Sequence, residues 1–239
     1  MPLLSVNIDH TATLRQVRLA RYPDLREVVK EVEKAGAGGI TAHLREDRRH
    51  IQDNDLFLIK DTARTRLNME MAATDEMVAI ALKVKPYMVT IVPEKRQELT
   101  TEGGLDVVAG LERIKRAAGE LMNAGIQVSL FIDPSEEQVN ETLKTGAAYI
   151  ELHTGRYCGA PDDNEQEREF QILKNTTSYA AGKGLRINAG HGLDYENTLR
   201  IAELPEIEEL NIGHSIIARA VICGIGSAVS QMLEITDIT

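Results

Sequence analysis

Tryptophan is absent from this chain of 239 residues, and all aromatic residues together make up 4% of it. Stacking platforms for bases or sugar rings are therefore scarce. Cysteine is nearly absent too, since Cys158 and Cys223 are too few for a disulfide framework. No apolar run approaches the roughly 18 residues of a membrane span. Met1 to Asp9 enter a strand-like pattern at once, without a basic region and an apolar leader, so neither a signal nor a transit peptide is expected. Positive charge is in deficit: 27 Lys and Arg stand against 37 Asp and Glu, for a net charge of −10. That balance argues against nucleic acid or an anionic membrane as partner, while local basic groups could still hold small anions. A cytoplasmic protein is the expectation.

What is present is the composition of a globular chain, 43% apolar and 27% charged. Eight short apolar runs recur, at Leu3–Ile8, Gly39–Leu44, Arg66–Met71, Met88–Val92, Gln127–Ile132, Ala148–Leu152, Leu185–Asn188 and Glu209–Ile212. Between them lie amphipathic stretches with helical spacing, such as Pro23–Ala35, Asp75–Lys85, Leu105–Ala124, Ser135–Thr145, Glu165–Gly182 and Tyr195–Glu203. Asp133-Pro134-Ser135 opens one helix; Ala35-Gly36, Ala124-Gly125 and Thr145-Gly146 close three others. Eight strands alternating with helices, at about 30 residues per unit, fit a closed (β/α)₈ barrel better than an open doubly wound sheet. A single α/β barrel domain spanning 1–239 is predicted.

In such a barrel, active sites lie where the strands end. The first two strands run into Asn7, Asp9, His10, then His43, Arg45 and His50; the third ends in Asn68 and Glu70. The fourth leads into Pro93-Glu94-Lys95-Arg96 and Thr100-Thr101-Glu102-Gly103-Gly104, a loop long enough to act as a lid. The last four give Asp133, then Glu151 and His153, then Asn188 with Gly190-His191-Gly192, then Asn211 with Gly213-His214-Ser215. All six histidines fall on this list. Any one of them reads equally well as a hydrogen-bonded strand-end residue, but the set does not. Imidazoles titrate near neutrality and suit repeated proton transfer. Glu70 and Glu151 read either as acid–base groups or as ion-pair partners of Arg45 or Lys95.

The small-residue turns after strands seven and eight are the usual barrel phosphate position, although glycines also serve tight turns alone. A second anion site could form from Arg45, His50, Thr100 and Thr101. Arg48 and Arg49 read as a solvated face paired with Glu46 and Asp47. Asp9, His10 and His43 give a weak metal signal, and Cys158 has no evident activating base.

Eight strings, VNIDHTATLRQVR, GGITAHLREDRRHI, LNMEMA, VPEKRQELTTEGGLDV, VSLFIDPSEEQ, IELHTG, NAGHGLDY and ELNIGHSIIARAV, resemble the pyridoxine 5′-phosphate synthase family from Leu4 to about Met232. The resemblance implies a (β/α)₈ enzyme without cofactor or metal. It would join 1-deoxy-D-xylulose 5-phosphate to 3-amino-2-oxopropyl phosphate, giving pyridoxine 5′-phosphate, phosphate and water. It further implies that His43 and Glu70 accept protons, that His191 donates one, and that Glu151 stabilises the transition state. Asn7, Arg18, Gly192, Gly213 and His214 would bind the amino-oxopropyl phosphate; Asp9, His10, Arg45, His50 and Thr100 would bind deoxyxylulose phosphate. A homo-oligomer, octameric in that family, is implied as well. Two other readings of the same residues remain: a metal-dependent barrel hydrolase or aldolase acting on a sugar phosphate, and a non-catalytic sugar-phosphate sensor.

Overall fold

Eight parallel strands pair in sequence order, and the first pairs with the eighth, so the sheet closes into a barrel. The structure, a computed structural model, describes residues 1–94 and 103–237. The strands are β1 (Leu3–Asn7), β2 (Gly39–His43), β3 (Arg66–Met71), β4 (Met88–Ile91), β5 (Gln127–Ile132), β6 (Tyr149–His153), β7 (Arg186–Gly190) and β8 (Ile207–Ile212). Among the described residues the first half of the chain adds helices α1 (Asp9–Arg18), α2 (Leu25–Lys34), α3 (Asp53–Thr62) and α4 (Asp75–Val84). The second half adds α5 (Val107–Asn123), α6 (Glu136–Thr145), α7 (Gly155–Cys158), α8 (Asp163–Gly182), α9 (Thr198–Ala202), α10 (His214–Cys223) and α11 (Ile225–Thr236). None of the described helices is long and apolar enough to cross a membrane.

The strands alternate with period two, as a sheet buried on both faces must. Leu4, Val6, Ile40, Ala42, Leu67, Met69, Val128, Leu130, Ile150 and Leu152 are buried toward the helices. The alternate positions point inward and are polar: Ser5, Thr41, Asn68, Thr90, Ser129, Glu151, Asn188 and Asn211, all buried. Barrels usually fill this space with branched aliphatic side chains. Here a hydrogen-bonded chain runs up the inside instead. Ser5 Oγ donates to Thr41 Oγ1 (2.8 Å), Thr41 Oγ1 to Asn211 Oδ1 (2.9 Å), and Asn211 Nδ2 to Glu151 Oε2 (2.7 Å). Each link satisfies a polar atom that would otherwise be costly to bury.

The strand ends differ from the apolar runs by a residue or two. β6 extends to His153 and β7 to Gly190 because these two residues pair with each other across the sheet, which hydrophobicity alone does not register. α1, α3, α7, α10 and α11 add to the helices expected. α1 buries only Asp9, Thr11 and Ala12, so its sequence carries no apolar stripe. The expected stops are in place: Gly36, Gly125 and Gly146 have φ of 107°, 79° and 83°, a region glycine enters without strain. Ser135 is the N-cap of α6, although its side chain makes no capping bond. Cys158 and Cys223 are both free thiols.

Candidate active site

The C-terminal ends of the strands surround a cavity of about 600 Å³. Asn7, His10, Glu70, Glu151, His191, Gly192, Gly213 and His214 line it, together with Phe131, Asn211, Asp194 and Ser215. Eight of the fourteen residues anticipated from sequence thus share one space.

Two carboxyls face this space from the inward positions of β3 and β6. Glu151 is almost wholly buried and receives one hydrogen bond, from Asn211; burial holds its carboxyl up at about 8. Glu70 is 15% exposed and accepts a long bond from Asn7 Nδ2 at 3.4 Å. Burial raises Glu70 well above the ordinary carboxylate range, and the neighbouring Glu151 and Asp9 raise it further. Before substrate binds, Glu151 therefore largely keeps its proton at neutral pH, and burial disfavours the charged form of Glu70 in the same direction. Gly190, paired with His153 on one side and Asn211 on the other, is a glycine of necessity: a Cβ there would lie 2.4 Å from Glu151 Oε1 and 2.9 Å from the Asn211 carbonyl oxygen.

The imidazoles stand around these acids. His191 sits in a turn at φ 76°, followed by Gly192 at φ 86°. Burial lowers its pKa to about 4, with smaller contributions from His153 and His10, so the ring is neutral. His10 is also held below its ordinary value by burial, and its ring meets the exposed His214 edge-on at 5.2 Å. His10 Nδ1 is buried without a hydrogen-bond partner among the described residues, an arrangement that a bound acceptor or donor would complete.

His43, Asp9, Arg45 and His50 form an adjoining group beyond Glu70. The His43 backbone N–H donates to Asp9 Oδ1 at 2.8 Å, and His43 Nδ1 lies 3.8 Å from Glu70 Oε2. The His43 and His50 rings are 6.2 Å apart, and burial lowers the pKa of His50. Arg45 is buried, with Nε 3.6 Å from Asp47 Oδ1. Arg49 pairs with Asp47 as the solvated-face reading expects, whereas Arg48 bridges Asp53 of α3 and Glu76 of α4 instead. Thr100, Thr101, Lys95 and most of the 93–104 loop lie outside the described residues. Arg18 is exposed at the last turn of α1 and does not line the cavity.

Three residues near the cavity are legible in the sequence only as strand-end neighbours without a role, and a fourth carries no signal there. Glu94 Oε1 lies 3.0 Å from His43 Nε2 and its Oε2 accepts the Glu46 N–H, so Glu94 fixes the His43 ring. Asn211 carries the hydrogen bond to Glu151, and His153 packs on His191. Phe131 lines the cavity, and only the alternation of β5 from Ser129 could have placed it there.

Among the described residues, Asp9, His43 and Glu70 bring one potential metal-ligand atom each within 4.8 Å of one another. All three already have internal partners in Asn7, Glu94 and the β2 backbone, so coordination would compete with the bonds that order them. Cys158 is half-buried beside the His191 turn, and burial pushes its thiol up to about 12, which leaves it unreactive.

Residues 4–237 match the family described as pyridoxal phosphate biosynthesis protein PdxJ. The chain is 56% identical over 236 residues to the pyridoxine 5′-phosphate synthase of Photobacterium profundum, covering 98% of this chain and 97% of that protein. It is 54% identical over 235 residues to the enzyme of the same name from Geobacter sulfurreducens, covering 98% of each. Among solved structures, 3-keto-L-gulonate-6-phosphate decarboxylase from Vibrio cholerae superposes with a TM-score of 0.64 at 11% identity, covering 99% of this chain and 97% of that one. Thiamine phosphate pyrophosphorylase from Pyrococcus furiosus does so with 0.60 at 14%, covering 98% and 95%. At such identities the likeness is one of fold.

Proposed function

The chain belongs to the pyridoxal phosphate biosynthesis protein PdxJ family, and from that membership we propose that it acts as a pyridoxine 5′-phosphate synthase. It joins 1-deoxy-D-xylulose 5-phosphate to 3-amino-2-oxopropyl phosphate, forming the pyridine ring with loss of phosphate and water. The observation that supports this most directly is the gathering of two buried carboxyls with raised pKa, three imidazoles and a helix N-terminus around one cavity.

The amine of one substrate condenses with the ketone of the other, and the resulting imine acidifies the adjacent carbon. Glu70 is the base for that carbon. Burial and neighbouring carboxyls disfavour its charged form, and the positive charge of a bound ammonium or iminium opposes them and favours the carboxylate. Glu151, more deeply buried and tied to Asn211, stays protonated and donates a hydrogen bond to the oxygen on which charge develops. His191 is neutral before substrate binds; a bound phosphate dianion favours the imidazolium and equips it to protonate a leaving hydroxyl. His43, held by Glu94 and next to Glu70, takes part in the same proton exchange.

Two phosphates need two anion sites. Gly213 is the N-cap of α10, whose first amides have no partner within the helix, and a Cβ on Gly213 would lie 2.9 Å from Asn7 Cβ. This end of α10, with His214 and the Gly192 turn, takes the amino-oxopropyl phosphate. Asp9, His10, Arg45 and His50 take deoxyxylulose phosphate, with Thr100 as a further ligand. Binding both substrates in one cavity supplies the entropic part of the acceleration.

Assembly into a homo-oligomer, an octamer by family resemblance, and a cytoplasmic location complete the proposal. Val17, Leu19 and Tyr22 on or after α1, and Val221 and Ile222 on the contacting α10, are exposed apolar residues that a neighbouring subunit would cover. Arg18 lies on that face, so the role implied for it would be exerted at a subunit boundary.

The decisive assay incubates the purified protein with both phosphates in a chelator, without added metal, and follows pyridoxine 5′-phosphate by absorbance and mass. Product under these conditions is expected. No product in chelator, with recovery on adding zinc or manganese, would turn the proposal toward a metal-dependent hydrolase or aldolase using Asp9, His43 and Glu70. A protein that binds sugar phosphate and makes no product under either condition would be a sensor. Glu70→Gln and His43→Gln should each lower turnover about tenfold to a hundredfold with folding intact.

A further inference from the structure

We propose that Asp133 and His153 form a positioning pair that sets the ring of His191. This rests on His191 being the proton donor of the reaction proposed above.

His153 is the last residue of β6, buried and on the same inward side as Glu151, yet it does not line the cavity. Its ring is fixed from three directions. Nδ1 lies 3.0 Å from Asp133 Oδ1. The Nε2 edge rests over Gly155, where a Cβ would come within 2.4 Å of it. Phe131 packs against the ring at 5.2 Å between centroids. The remaining neighbour is His191, met edge-on at 5.1 Å. Asp133 is held below the usual carboxylate range by its bond with His153, against a smaller opposing effect of burial, and by the Gly104 N–H. As an ionised acceptor it fixes the proton of His153 on Nδ1.

His191 needs such support. Its backbone is in the left-handed region, which costs a non-glycine residue about 1 kcal/mol or more. Thr154, next to His153, holds that backbone: its hydroxyl lies 2.8 Å from the Gly190 carbonyl oxygen and 2.6 Å from that of His191. The backbone of His191 is thus anchored by Thr154 and its ring is braced by His153. A merely structural histidine would satisfy its own nitrogen and fill space. This one places a hydrogen-bonded, immobile ring against the donor itself while staying out of substrate reach.

Both donors to Asp133, the His153 ring and the Gly104 amide, use the same oxygen, Oδ1. An asparagine can supply that oxygen without the charge, so Asp133→Asn tests whether orientation is what matters. The experiment compares the wild type with His153→Ala, His153→Phe, Asp133→Ala and Asp133→Asn. Steady-state rates for both phosphates are measured with thermal melting and with ¹³C NMR titration of the His191 ring. His153→Ala and Asp133→Ala should lower kcat about 10- to 100-fold, as expected of a misplaced proton donor. KM for each substrate should stay within about threefold and the His191 titration should move. His153→Phe keeps the ring packing, so the fold survives while the link to Asp133 is lost; its kcat should fall as well. Asp133→Asn should recover most of the loss seen in Asp133→Ala. The proposal is overturned if kcat stays within twofold in folded His153 variants, if only KM or melting changes, or if Asp133→Asn is as impaired as Asp133→Ala. A wild type that makes no pyridoxine 5′-phosphate would overturn the proposed function instead, a result visible before any variant is measured.

Discussion

Replacing Glu151 with glutamine should make the substrate-free protein more stable and the enzyme much slower, and the stability gain should depend on pH in a defined way. A glutamate in the unfolded chain ionises near 4.5, whereas burial in the barrel holds Glu151 up at about 8. Folding at pH 7 must therefore keep a proton on a group that has lost it in the unfolded chain, which costs about 3 kcal/mol. Because the folded pKa is the higher one, the stability tied to protonated Glu151 is fully present below about pH 4.5. It is lost as pH rises toward 8. Glutamine has the same shape, can accept the bond from Asn211 Nδ2, and never ionises. The gain from Glu151→Gln should thus be near zero at pH 4.5, reach about 3 kcal/mol at pH 7 and level off above pH 8. For a domain of this size that is roughly 6–12 °C in Tm at pH 7. Melting curves of both proteins from pH 4.5 to 9 would measure it, alongside turnover, which should fall at least tenfold. A Tm difference that stays flat with pH, or a variant less stable at pH 8 than the wild type, would refute the reasoning: it would mean that Glu151 is ionised and paired in the folded protein.

Gly190→Ala should lower product formation at least tenfold, since its Cβ would drive into Glu151 and the Asn211 backbone; normal activity would show that the sheet yields there. Asp55→Ala removes the two-pronged partner of Arg15 and the acceptor for the Gln52 N–H at the start of α3, and should destabilise by about 3 kcal/mol in denaturant titration. Iodoacetamide at pH 8 should label Cys223, which is exposed, and spare Cys158, whose thiol burial pushes up to about 12; mass mapping of the peptides checks this.

Much of this molecule is legible in one dimension. Short apolar runs, as strands covered on both faces produce, and period-3.6 spacing between them follow from how side chains leave a strand or a helix, so eight β/α repeats could be counted before any contact was known. The strand-end rule then placed His10, Glu70, Glu151, His191, Gly192, Gly213 and His214 at one barrel mouth, and the cavity gathers them there. Pattern reading was blind where structure rests on pairing rather than hydrophobicity. α1 buries too few apolar residues to announce itself, and β6 and β7 gained their ends from each other.

The sequence by itself determined the repeat, the side of the barrel that carries chemistry and, through its long motifs, the family. Only the tertiary structure decided the electrostatics. Whether Glu70 and Glu151 are ion-paired or protonated depends on which dipoles and charges face them across the barrel, and those come from β1, β6 and β8, far away in the chain. The same holds for Glu94 against His43 and for Asp133 against His153. Local patterns follow from backbone geometry and survive in any sequence window. A pKa or a ring orientation is set by what lies within a few ångströms, and only the closing of the barrel brings those groups together.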